Sequence, residues 1–163
     1  MTKPPEIGLV TAKEVAKAVV ERFVSRAYRR PATDDEVSRL LQLARVAHEG
    51  GESFEASIQF ALQAVLVSPH FLFRVEENPQ PGSTERTLND YELATRLSYF
   101  IWNSMPDDEL FRHAWRGTLR KDDNLETQVR RMLADRRSTT LVNGFAAQWL
   151  QLRQFDTIEP SKR

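Results

Sequence analysis

The chain contains no cysteine. That absence excludes a disulfide, a zinc–thiolate centre, an iron–sulfur cluster and covalent haem attachment through Cys-x-x-Cys-His within these residues. It leaves the compartment open, because exported proteins need not carry disulfides. Glycine is scarce, six in 163 residues, and no Gly-rich phosphate loop is present. Apolar runs are short. None reaches the roughly 18 residues that a bilayer-spanning helix requires, and Met1-Thr-Lys-Pro-Pro-Glu6 lacks the apolar stretch of a signal peptide. An excess of either charge is missing too. Lys and Arg number 23, Asp and Glu 23; residues 1–76 hold ten of each kind and residues 77–163 thirteen of each. The pairs Arg29-Arg30, Arg130-Arg131 and Arg136-Arg137 each have acids nearby. Binding through nucleic-acid phosphates calls for a basic excess on some element, so no nucleic-acid partner is expected.

What is present is helical punctuation. The hydrophobic share of 40% and charged share of 28% are ordinary for a soluble domain. Thr11-Ala-Lys-Glu14 and Thr33-Asp-Asp-Glu36 are capping boxes. The first precedes an apolar face of Val15, Val19, Val20, Phe23, Val24 and Ala27, which Pro31 should stop. The second precedes Val37, Leu40, Leu41, Ala44 and Ala47, ending at Gly50-Gly51 in a left-handed turn. Ser53 opens a third helix facing inward with Phe54, Ile58, Ala61, Leu62, Val65 and Leu66, broken at Ser68-Pro69.

Residues Glu77–Thr87 carry two prolines and no large apolar residue, the composition of a linker. Asn89-Asp-Tyr-Glu92 then caps a helix showing Leu93, Leu97, Phe100 and Ile101. Pro106 is placed at a first helical position, ahead of Leu110, Phe111, Ala114 and Trp115. Asp123-Asn-Leu-Glu126 starts the next helix, and a last one runs from about Arg137 through Leu141, Val142, Phe145, Ala146, Trp149 and Leu150. The expectation is an all-α protein, two small helical modules packed as an irregular bundle: residues 1–77 with three main helices, a linker at 78–87, and residues 88–163 with four.

Two stretches carry a resemblance: Phe60–Glu76, FALQAVLVSPHFLFRVE, and Leu88–Leu110, LNDYELATRLSYFIWNSMPDDEL. With Tyr28-Arg-Arg-Pro31, Val129-Arg-Arg-Met-Leu133 and Phe145-Ala-Ala-Gln-Trp149, they resemble two domains of unknown function found in tandem in large secreted proteins of planctomycetes and their relatives. These are the PSD-type, cytochrome-c-associated domains. The resemblance implies an extracytoplasmic location, other domains of the same larger polypeptide as partners, a cytochrome c-like module elsewhere in it, and a second module that is incomplete here. No cofactor is expected in this chain.

Chemistry-bearing residues are few. His70, beside the Ser68-Pro69 break, is the candidate ligand for haem or metal; the alternative is a histidine closing a broken helix. Arg74 and Arg96 are candidates for an anion pocket, or else clamps to carboxylates such as Asp90, Glu92 or the Asp107-Asp108 pair. Asp107 and Asp108, like Asp34-Asp-Glu36, are candidate acid–base carboxylates, or charges favoured in the first turn of a helix. His48 and His113 are expected to face solvent. Trp102, Trp115 and Trp149 with Tyr91 and Tyr99 could form a carbohydrate platform or fill a core. Ser98 and Ser104 lack the Gly-x-Ser-x-Gly context of a serine hydrolase. The expected role is a scaffold or interaction unit. The alternatives that the resemblance raises are part of a polysaccharide-processing enzyme and an electron-transfer accessory.

Overall fold

The computed structural model describes residues 11–76, 79, 81–83 and 85–150. The protein is all-α, with no strand among the described residues. Its chain divides into two compact units, Met1–Val75 and Glu76–Arg163.

The first unit contains α1 (Ala12–Ala27), α2 (Asp34–Glu49), α3 (Phe54–Leu66) and the single turn α4 (Pro69–Leu72). Thr11 and Thr33 each close a capping box, with Glu14 and Glu36, and the Ser53 hydroxyl accepts from the Ala56 N–H. Each box satisfies helix-end donors that would otherwise lack a partner. The core is made of small side chains: Val20, Val24, Val37 and Val65 are buried, as are Ala16, Ala44 and Ala61. Phe23, Tyr28, Leu40, Leu41 and Leu62 pack around them. Val15 and Val19, expected inside, are exposed. Each precedes a buried position by one residue, about 100° round the helix, and so falls off the stripe. Phe54 and Leu66, at the ends of α3, are exposed as well.

Two Schellman turns end α1 and α2. After α2, the Gly51 N–H donates to the His48 carbonyl and the Glu52 N–H to that of Ala47, with Gly51 at φ +102°. After α1 the same pair of bonds runs from Arg29 to Arg26 and from Arg30 to Ser25. Here the left-handed residue is Arg29, at φ +59°. The helix therefore stops at this turn, ahead of Pro31.

The second unit contains α5 (Asp90–Trp102), α6 (Asp108–Trp115) and α7 (Asn124–Ala134), then a 3-10 turn at Arg136–Ser138, a π-helical turn at Leu141–Ala146 and a last turn α8 (Ala147–Trp149). Its core is Ala94, Ile101, Trp102, Leu110, Ala114, Leu119 and Met132. Phe100, Trp115 and Leu133, placed inward by their spacing, are exposed. Leu119 was not anticipated, because it lies in a turn. It is drawn in when its N–H donates to Asp90 Oδ2 (3.1 Å), while Arg120 pairs with Oδ1 (2.9 Å).

The helix starts and the last helix of this unit carry details that spacing alone does not give. Pro106 is not helical: it is buried one residue before the cap, Asp107, whose carboxylate accepts from the Leu110 N–H. The helix expected at Asp123-Asn-Leu-Glu126 is present as α7 with Asp123 in the cap position, although Asp123 makes no side-chain cap bond and Glu126 pairs with Arg130. The expected last helix is present as an unbroken helical run over residues 136–149, but it opens with a 3-10 turn and is π-wound over Leu141–Ala146. Thr139 and Thr140 hydroxyls donate back to the Arg136 and Arg137 carbonyls, and Thr140 also reaches the Ile101 carbonyl (3.1 Å). Such bonds compete with the helical ladder, and Asn143-Gly144 adds two weak helix formers.

Both units use one device at a helix entrance. Arg30 grips Glu36 through two bonds (2.9 and 2.7 Å) and donates to its neighbour's carbonyl at Pro31. Arg86 does the same with Glu92 (2.8 and 2.8 Å) and Thr87. In each case an arginine six residues upstream locks the glutamate that closes the capping box. Arg86, in the segment read as a linker, is thereby anchored to α5. These bonds and that to the cap hold the Glu36 carboxyl at about 2, below its ordinary 4.5, with the Arg30 hydrogen bonds as the main cause. A lowered carboxylate contributes stability above its unfolded value and loses it as pH falls from about 5 towards 2. Discounted for solvent screening, about 1–2 kcal/mol should go over that range. Urea melts of E36Q should accordingly lie below the parent at pH 7 and converge with it near pH 2.

Candidate functional site

The densest polar cluster lies in the second unit, around Asp107. As the cap of α6, Asp107 Oδ1 receives the Leu110 N–H (3.0 Å). The same carboxylate takes a two-pronged bond from Arg131 on α7 (2.7 and 3.1 Å), and Arg137 lies 3.6 Å away. Burial by itself would raise this carboxyl. The Arg131 bonds, the Leu110 N–H and the charges of Arg131 and Arg137 outweigh it, and the group is held below its ordinary range.

Arg131 Nε donates to Gln128 Oε1 (2.8 Å), and Gln128 Nε2 donates to Glu109 Oε1 (2.8 Å). A guanidinium on one side and a carboxylate on the other fix the orientation of the buried amide. Gln128 Nε2 also faces His113 Nε2 at 3.4 Å, and His113 Nδ1 lies 3.0 Å from Thr118 Oγ1. The network assigns His113 the tautomer in which Nε2 accepts and Nδ1 donates. Expected to face solvent, His113 is instead half-buried between α6 and α7. Arg131 and Arg137 also lie against the Trp102 ring, their guanidinium carbons 5.5 and 3.5 Å from its centre.

This arrangement is chemically closed. A general acid working near neutral pH needs a raised carboxyl, and Asp107 is moved the other way. Its bonds are those of a cap and a clamp. Asp108, one residue on, occupies the first turn of α6, where its charge is worth a few tenths of a kcal/mol to about 1 kcal/mol. Replacing Asp107 by Ala should cost about 2 kcal/mol, as cap and guanidinium partner are lost together. D108N, which leaves the Asp107 cap and clamp in place, should cost less, a few tenths of a kcal/mol to about 1 kcal/mol. Urea midpoints of the two variants, measured side by side, check the contrast.

The other candidates lie apart from this cluster. In the first unit His70 is exposed. Its ring sits 5.2 Å from that of Tyr28, its N–H donates to Ser68 Oγ, and its carbonyl accepts from Arg29 Nη2 (2.7 Å). No group of three or more His, Cys, Asp or Glu able to hold a metal occurs among the described residues. Arg74 is exposed in the same unit. In the second unit Arg96 grips Glu76 through two bonds (2.7 and 2.6 Å), which lowers the Glu76 carboxyl. A carboxylate therefore fills the guanidinium face that an anion would need. A shallow groove of about 480 Å³ between α2 and α3 is lined by Val46, Phe60, Gln59 and Gln63, with Glu52 as its one carboxylate.

Arg29 was missed as a key residue. It is 6% exposed, and its guanidinium donates to the carbonyls of His70 (2.7 Å), Phe73 (2.8 Å) and Phe71 (3.3 Å). These carbonyls close α4, so Arg29 ties the Ser68–Phe73 turn to the end of α1. A charge count cannot reveal this, because the acceptors are backbone atoms more than forty residues away.

The architecture is that of two helical domains in tandem whose polar side chains serve capping and clamping. Residues 15–76 match PSD5, a protein of unknown function (DUF1595), and residues 88–163 match PSD4, a protein of unknown function (DUF1592). The two matches stand in tandem, PSD5 ahead of PSD4. No curated protein and no solved structure matches it.

Proposed function

We propose that this chain is a structural module: a helical scaffold or interaction unit of a larger exported polypeptide, with other domains of that polypeptide as its partners. The resemblance supports the reading, since it implies tandem domains of a larger secreted protein with a cytochrome c-like module elsewhere. The observation that carries it is the aromatic surface of the second unit. Phe100, Phe145 and Trp149 are all exposed, yet they stack on one another, Phe100 edge-on to Phe145 (5.5 Å) and Phe145 parallel to Trp149 (6.2 Å). Val142 and Leu150 extend the exposed apolar surface on the same stretch of chain. A contiguous patch of this kind marks an interaction surface.

The test is a double substitution, Phe145→Ser with Trp149→Ser, made both in this chain and in the whole exported polypeptide. A surface used only for interaction predicts an unchanged melting curve for the chain, within about 0.5 kcal/mol, and faster proteolysis of the whole polypeptide. An unchanged digestion pattern of the whole would overturn the reading. A lowered melt of the chain itself would make the patch part of the module's own core.

A further inference from the structure

We draw no further inference here: the strongest candidate, the exposed aromatic patch of Phe100, Phe145 and Trp149 on the second unit, carries nothing beyond the reading above because nothing in the structure shows what covers it.

Discussion

Arg29→Ala should destabilise the first unit by about 2–4 kcal/mol, the expected loss when charge-assisted bonds to several carbonyls are removed. The guanidinium is buried and reaches the carbonyls of His70, Phe71 and Phe73. Alanine would leave these acceptors to water that must enter the site. Arg29→Lys should recover less than half of the loss, since an ammonium is a compact point charge without the planar fork. Arg29→Gly separates the two demands made on this position. It deletes the clamp but suits the left-handed backbone at φ +59°, where a residue with a Cβ is disfavoured by about 1 kcal/mol. Both the Lys and the Gly variants should therefore lie between the parent and Arg29→Ala in stability. Hydrogen exchange supplies the local readout. The Phe73 N–H, bonded to the Pro69 carbonyl, should lose protection in all three variants, whereas α5 to α7 should keep theirs. A glycine variant more stable than the parent would mean that the backbone strain outweighs the clamp.

That prediction rests on a residue that the sequence conceals. The starts of α1, α2, α3 and α5 were legible because a cap and its partner lie three residues apart, and a local motif needs no knowledge of the fold. Asp107 was legible as a helix-start charge for the same reason. Its Arg131 partner was not, standing twenty-four residues away on another helix. Arg96 was expected to hold a carboxylate and does, but Glu76, twenty residues upstream, was not among those considered. Apolar spacing identified which segments are helical and overstated which residues they bury. Val15, Val19, Phe100 and Trp115 fit the period yet stay in contact with water. Periodicity fixes the angle of a side chain round its own helix, and only the neighbouring helices decide how wide a stripe they cover.

Tryptophan shows that difference most sharply, and its removal has the largest expected effect in the second unit. Of the three tryptophans in the chain, Trp102 is 2% exposed, whereas Trp115 and Trp149 are 74% and 72% exposed. Spacing alone could have put any of them in the core. Trp102 is held at the end of α5 by an Nε1–H bond to the Met132 carbonyl (2.9 Å) and is flanked by Arg131 and Arg137. It joins α5, α7 and the clamp on Asp107. Trp102→Ala should cost about 3–5 kcal/mol through lost burial and the cavity left behind. Trp102→Phe keeps most of the ring but leaves the Met132 carbonyl without its donor, and should cost about 1–2 kcal/mol. Replacing Trp115 or Trp149 by Phe should change stability by less than about 0.5 kcal/mol. Fluorescence assigns the effect to its source. With iodide as quencher, the parent should show one protected emitter and two accessible ones, and W102F should remove the protected component alone. If W149F removed it instead, the aromatic patch would be covered in solution, and Trp149 would belong with the core residues.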